Sequence, residues 1–240
     1  MTAVRQGLIR GSRALGEKKN LVFDVSIEQP ETLVQNGIGL TDWPDIVGRL
    51  NWQLEWGHLQ GMVLVHNLVA ESLTGSGRDS AFGYGLSLSG SWKVPGTERV
   101  SALDYSGSRQ DLIQFQIQAG SGTGRYVNDL GALPTGQDGV HVDATQSLEP
   151  LDQAGYFAAY RHWWADRYYS TFAYGVEEVD NLTSQPNDAH HRGTYALVNL
   201  GYMAFRRMNV GLEYTWGERE NKNGQTGKAN RINLAFNYGF

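Results

Sequence analysis

Residues 82–94 read FGYGLSLSGSWKV. Phe82, Tyr84, Leu86, Leu88, Gly90, Trp92 and Val94 alternate with Gly83, Gly85, Ser87, Ser89, Ser91 and Lys93. A period of two puts the first set on one face of a strand and the second on the other. Half-buried soluble strands alternate too, so the makeup of the two faces has to decide. A soluble sandwich turns Lys, Glu and Thr to water; here the polar face is Gly and Ser with one Lys. The aromatics Phe82 and Trp92 sit near the ends of the run. Such a strand suits lipid on one side and a watery lumen on the other, with aromatics at the two membrane interfaces.

The same pattern recurs outward from this stretch. In DIVGRLNWQLEW (45–56), Ile46, Leu50, Trp52, Leu54 and Trp56 oppose Val47, Arg49, Asn51, Gln53 and Glu55. In MNVGLEYTWGER (208–219), Val210, Leu212, Tyr214 and Trp216 oppose Asn209, Gly211, Glu213 and Thr215. LVFDVSIEQ (21–29) and RINLAFNYGF (231–240) alternate as well. HLQGMVLVHNLV (58–69) and GTYALVNLGYMAF (193–205) do so less cleanly.

Composition agrees with many short strands. The 240 residues include 30 Gly, only 6 Pro and no Cys, with 11% aromatic residues. Without cysteine there is no disulfide framework and no thiolate metal site. The net charge of −5 argues against a nucleic-acid groove. No run approaches the roughly 20 apolar residues of a membrane helix. Residues 1–16, MTAVRQGLIRGSRALG, lack an apolar core of signal-peptide length.

Strands are expected near 3–14, 20–29, 44–56, 58–70, 81–94, 110–120, 154–165, 168–179, 193–205, 207–219 and 228–240. Short turns at 56–58, 165–167 and 206–208 alternate with polar loops at 71–80, 180–193 and 217–229, the arrangement of periplasmic turns and outer loops. The connection 94–110 is long for the short-turn side. This count is odd, whereas single-chain bacterial barrels have an even one. The expectation is one β-barrel domain over 1–240 that forms the C-terminal portion of a longer barrel, its first strands and export signal lying elsewhere. A miscounted strand within 139–150 is the alternative.

YFAAYRHWWAD (156–166), WGHLQGMVLVHNLV (56–69), FGYGLSLSGSWK (82–93), PETLVQNG (30–37), PDIVGRLNWQLEWG (44–57) and the closing GLEYTWGERENKNGQTGKANRINLAFNYGF (211–240) together resemble the DcaP-type porins of Gram-negative bacteria. The resemblance implies a homotrimeric, sixteen-stranded outer-membrane diffusion channel, embedded in lipid and lipopolysaccharide. It implies uptake of small anionic solutes such as dicarboxylates, with no cofactor and no catalytic residue.

Selectivity in such a pore lies in charges on the lumen face. Strand parity turns Arg49, Lys93, Arg219 and Arg231 inward. Arg161 joins them if Tyr156, Ala158 and Tyr160 form the lipid face, which also turns Phe157 inward. Arg5, Arg10 and Arg13 have mixed parity. A guanidinium in a narrow passage attracts carboxylates and can hold them bidentately. The competing reading pairs each Arg with a wall acid such as Asp24, Glu28, Glu55 or Glu213. The long segment 121–152 either folds into the pore and narrows it, or is a surface loop for lipopolysaccharide or subunit contact.

Other classes leave weaker traces. GSGTGR (120–125) carries Gly120, Gly122 and Gly124, but Arg125 stands where a dinucleotide fingerprint needs its last Gly, and no helix is expected after it. His190 and His191 are adjacent in an expected loop and lack a third metal ligand. An outer-membrane hydrolase would need a Ser beside a His such as His162. A soluble all-β binding module is the remaining alternative.

Overall fold

A computed structural model describes residues 7–73, 77–99, 109–127, 138–142, 144–205 and 207–239. Its strands are β1 (Leu8–Leu15), β2 (Leu21–Glu28), β3 (Val34–Gln35), β4 (Gly37–Leu40), β5 (Asp45–Leu54), β6 (Gly57–Ser72), β7 (Arg78–Lys93) and β8 (Leu112–Ser121). They continue as β9 (Gly139–Val142), β10 (Ser147–Pro150), β11 (Asp152–Trp163), β12 (Tyr168–Val179), β13 (His190–Phe205), β14 (Met208–Asn221) and β15 (Thr226–Tyr238).

All the wall strands lie in one 12-stranded sheet, ordered β1-β2-β5-β6-β7-β8-β11-β12-β13-β14-β15, with β4 paired to the end of β6. Every pairing within it is antiparallel. The expected strand segments all reappear in this path. The segment 139–150 does supply strands, but outside the wall: β9 and β10 form a hairpin in a separate three-stranded sheet with β3.

The register explains why the apolar residues share a face. Phe23, Leu50, Gly61, Leu88, Ile117 and Tyr156 are successive cross-strand partners. Tyr160, Phe172, Val198, Tyr214 and Ile232 continue the same face to β15. These aliphatic and aromatic side chains are exposed, Gly61 aside, from Tyr160 at 37% to Ile232 at 74%. A sheet with one face of exposed Leu, Ile, Phe and Tyr is a sheet whose solvent on that side is not water.

Turns and loops segregate to opposite ends. The β1–β2, β5–β6, β11–β12 and β13–β14 connections are short, and the 94–111 connection lies at their end. At the tight β5–β6 turn a Cβ on Gly57 would lie 1.9 Å from the carbonyl oxygen of Ser91, so only glycine fits. At the other end the strands run further than the sequence indicated. Most of 217–229 is strand, closed by the 222–225 turn with Gly224 at φ 79°. His190 and His191 likewise begin β13 rather than lie in a loop.

The sheet does not close on itself among the described residues: β1 and β15 each pair on one side only. The odd number of strands on the path also leaves β1 and β15 running in the same direction, so joining them directly would make a parallel pair.

Candidate functional site

The face opposite the apolar one carries the polar side chains and a plug. The segment between β8 and β11 turns back onto this inner face. Leu148 on β10 packs with Leu68 and Ala70 of β6, Ala81 of β7 and Val34 of β3. Val127, Val140 and Leu151 cluster with Val179 at the end of β12. The fold therefore chooses the inward placement for 121–152, with residues 128–137 and 143 outside the described set.

Polar ties fix the plug to the wall. Buried Asp45 of β5 bonds Nδ1 of buried His66 on β6 at 2.5 Å and accepts from the Tyr126 hydroxyl of the plug. Asp138 is fully buried and accepts from the Leu33 amide at 2.7 Å and the Arg125 amide at 3.0 Å. Burial pushes its carboxyl up to about 6, against the lowering pull of those two amides and of the His66 and Arg125 charges. The 120–125 stretch weighed above as a dinucleotide fingerprint enters a single 3-10 turn, Gly124–Tyr126. Its Arg125 amide faces the Asp138 carboxylate, which occupies the place an anion would take. Outer connections lock over the plug. Gln185 Nε2 donates to Gln35 Oε1 at 3.1 Å. Lys222 Nζ donates to the carbonyls of Leu182, Thr183 and Gln185 at 2.7, 3.0 and 2.7 Å.

The sequence-derived cations fall on three register rows of the inner face. Arg49 and Arg219 belong to the row Asp24, Arg49, Met62, Ser87, Gln118, Gly155, Glu177, Gly193, Arg219. Arg231 ends the row that begins Gln53, His58, Ser91, Gln114. Lys93 and Arg161 share a third row with only Leu112 between them, two strand spacings or about 9.6 Å apart.

Their partners differ. Arg49 is engaged by Asp24, with Nη2 to Oδ2 at 2.6 Å. Arg219 donates to Asn221 Oδ1 at 3.0 Å and the Asp188 carbonyl at 3.3 Å. Arg231 donates to Asn233 Oδ1 at 2.7 Å. Arg161 lies 5.4 Å from the centre of the Tyr169 ring and points Nε at Thr171 Oγ1 at 3.4 Å. Lys93 is exposed at the short-turn end. Arg10 lies opposite Ser26, in the polar set, whereas Arg13 lies opposite Phe23; Arg5 is outside the described residues.

Sequence reasoning missed the aromatic platforms on this face. A Cβ on Gly175 would come within 2.4 Å of Cε1 of Tyr195, and one on Gly201 within 2.1 Å of Cζ of Tyr169. Each tyrosine ring thus lies flat across a glycine of the neighbouring strand. The only signal in the sequence was a Gly at an inward position, which parity alone cannot pair with a ring on another strand.

The alternative chemistries find these surroundings. His162 bonds Asp111 Oδ2 at 2.7 Å and meets the Trp164 ring edge-on at 4.4 Å. Ser91 Oγ lies 2.7 Å from His58 Nδ1, on the inner face, with Gln53 rather than an acid across from the imidazole. His190 Nε2 bonds Glu177 at 2.8 Å, and His191 Nδ1 bonds the Val179 carbonyl at 2.9 Å. Among the described residues no group of three or more His, Asp or Glu could hold a metal ion.

The long connection 94–111 is tied at the short-turn end by Asp111. Its carboxylate accepts from the Trp163 amide at 2.9 Å and the Tyr160 hydroxyl at 2.7 Å, besides bonding His162. Burial alone would raise this carboxyl, but those bonds together hold it below the usual carboxylate value. Arg109 bonds Asp166 and stacks 5.3 Å from the Trp163 ring centre.

No protein-family model and no curated protein matches the chain in sequence. Among solved structures, the outer membrane channel DcaP of Acinetobacter baumannii superposes with a TM-score of 0.77 over 97% of this chain, at 18% identity. The chain spans 62% of the length of that channel. At this identity the likeness speaks for the fold alone: the chain has a porin-like antiparallel sheet, which among the described residues is not closed between β1 and β15.

Proposed function

We propose that this chain forms most of the wall of an outer-membrane diffusion channel for small solutes. The observation that carries the reading is the two-faced register. One exposed apolar face runs unbroken from β2 to β15, while the opposite face holds amides, ion pairs and an inward-folded plug. Neither a soluble module nor a closed hydrophobic sandwich has a use for an exposed face of that kind. In lipid the unpaired sides of β1 and β15 need partners, because backbone groups there have no water to bond. Further strands completing the sheet supply them in this reading, so that 1–240 is one portion of a single barrel domain.

Small anions are the favoured solutes. Lys93 and Arg161 face a common space at the short-turn end, and Arg231 and Arg219 stand on the same face with neutral partners. Arg49 is largely neutralised by Asp24. Two cations two strands apart on one inner row suit a dicarboxylate better than a single carboxylate. A homotrimer in a lipopolysaccharide-bearing membrane belongs to the same reading and rests on the resemblance to DcaP-type porins.

Planar-bilayer recording of the complete barrel tests this. Discrete conductance steps with chloride favoured over potassium are expected. Arg161→Glu together with Lys93→Glu should reverse that preference. Absence of any conductance, or a preference unmoved by the double reversal, would remove the channel or the anion part of the reading respectively.

A further inference from the structure

Arg13 on β1 is directly opposite Phe23, and through Phe23 it shares a row with Leu50 and Gly61. That row belongs to the outward apolar face, so Arg13 is a cation on the lipid side of the wall. Arg10 and Ser12, opposite Ser26 and Asp24, have the inward parity. The Arg13 side chain is exposed and has no hydrogen bond, ion pair or ring contact among the described residues. An outward Arg is costly at the membrane midplane, and the cost falls toward the interface. Arg13 stands three residues before Gly16, where the β1–β2 connection begins. That is roughly 10 Å of strand, or roughly 8 Å of depth at a tilt of about 40°. One outward step nearer the connection, Leu15 lines up with Leu21 and Trp52, an aromatic at interface level. A long cationic side chain rooted there reaches the headgroup layer by snorkelling.

The connection supplies two more cations. It reads GEKKN (16–20), and Lys18 and Lys19 are exposed and unpaired among the described residues. Lys19 has φ 51°, in the left-handed region that non-glycine residues seldom adopt. Arg13, Lys18 and Lys19 outweigh the single negative charge of Glu17. Beside them the apolar face has a trough. A Cβ added at Gly11, two residues from Arg13, would meet no atom within 4 Å. Gly11 is opposite Val25 and Val25 is opposite Gly48, so this row is low on both sides of Val25. The exposed pair Ile27 and Ile46 borders it on one side, and the exposed pair Phe23 and Leu50 on the other.

We propose that Arg13, Lys18, Lys19 and this trough bind an anionic phospholipid, such as phosphatidylglycerol, in the leaflet at the short-turn end. The phosphodiester is the anion that a membrane presents at the depth the guanidinium reaches. Arg takes two of its oxygens bidentately, and the lysines act as further point charges around it. An acyl chain of the same molecule lies in the trough over Gly11 and Gly48, where larger side chains would exclude it. The positive balance of the cluster favours an anionic headgroup over a zwitterionic one. The inference rests on the membrane-embedded reading of the sheet and adds to it a lipid with a fixed place.

Native mass spectrometry of the complete channel, released from detergent, tests the site. Phosphatidylglycerol is the probe, and phosphatidylcholine with the same chains is the comparison. Tighter retention of phosphatidylglycerol is expected. Arg13→Ser should weaken it about five-fold, the worth of one basic side chain at an anionic surface, and leave phosphatidylcholine unaffected. Lys18→Ser with Lys19→Ser should weaken it in the same direction. Gly11→Leu fills the trough, keeps every charge in place and should weaken phosphatidylglycerol as well. Arg10→Ser, inward on the same strand, should not. Inorganic phosphate in large excess should leave the lipid bound; displacement would make this a site for free anions and overturn the lipid assignment. Parental affinity in the Arg13→Ser protein would overturn the site, and a lowered thermal midpoint in that protein would then assign Arg13 to a carboxylate on a neighbouring strand. A channel that conducts but retains both lipids equally removes this site and leaves the channel reading standing. A protein that retains no lipid and gives no conductance steps removes that reading and this site with it.

Discussion

Arg49 on β5 donates through Nε and Nη2 to one oxygen of Asp24 on β2, at 2.8 and 2.6 Å. The carboxylate is buried and the guanidinium is 30% exposed, so the pair presents little net charge to a passing solute. Asp24→Asn removes the negative member and leaves a cation on the inner face. Reversal potentials of the complete channel in a salt gradient should then shift toward stronger anion preference. Arg49→Ala does the opposite kind of damage. It strands a buried carboxylate and should cost about 2 kcal/mol of stability, read as a lower urea midpoint in lipid, and the net negative charge it leaves should lower anion preference. Ion preference unchanged in both variants would mean that solutes do not sense the pair.

The plug has its own pH dependence through Asp138. Its carboxyl is raised from 3.8 to about 6 by burial when the plug is docked. A raised folded-state value means that docking is favoured by protonation. The extra stability is fully present below about the unfolded value and is lost as pH rises through about 6. Amide exchange at Val140 and His141, corrected for intrinsic rates, should therefore accelerate between about pH 4 and pH 6. Asp138→Asn should flatten that profile. An unchanged profile in the variant would assign the dependence to another group.

How much of this was legible in the sequence depends on what each residue touches. The wall strands were readable because their two faces meet unlike solvents, as in 82–94. β6 alternated poorly for a physical reason. Its inner residues Leu64, His66, Leu68 and Ala70 are buried, three of them apolar, and Leu68 and Ala70 lie beneath Leu148 of the plug, so both faces of the strand are largely apolar there. β13 blurred similarly, because Tyr195 and Leu197 line the inner face beside the outward Val198 and Leu200. The Asp24–Arg49 pair was foreseeable as one alternative, since both residues share inward parity. The Asp45–His66–Tyr126 and Asp138–Leu33 ties were not, because they join segments remote in sequence with no periodicity to link them.

Asp111 holds the 94–111 connection to β11 through Trp163, Tyr160 and His162. Asp111→Ala leaves the Trp163 amide without its acceptor and removes two side-chain bonds. A loss of about 2–3 kcal/mol is expected on the scale of charge-assisted bonds. Asp111→Asn should retain part of it. Because this carboxyl is held below its ordinary value, its contribution is present above about pH 4 and is lost as pH falls further. Thermal unfolding in detergent at pH 3 and pH 7 measures both effects. Equal shifts for Asp111→Ala at the two pH values would contradict the ionic part of the account.

The two edges of the sheet make the last prediction. β1 and β15 run in the same direction and are not paired among the described residues. If the sheet closed on itself in the membrane, they would form a parallel pair, and their inward residues would come into cross-strand register. The chain has no native cysteine, so introduced thiols report without background. Arg10→Cys with Ser26→Cys are directly opposite across β1 and β2 and serve as the positive control. Ser12→Cys should be combined in turn with Ala229→Cys, Arg231→Cys and Asn233→Cys, all inward on β15. Mild oxidation in membranes should link the control pair within one chain and none of the β1–β15 pairs if, as proposed, completing strands stand between those edges. Efficient linkage at one β1–β15 register and not at its neighbours would mean that the sheet closes as a parallel-seamed barrel. The lumen would then be narrower than a completed wall allows, and the Lys93–Arg161 spacing would face a smaller passage.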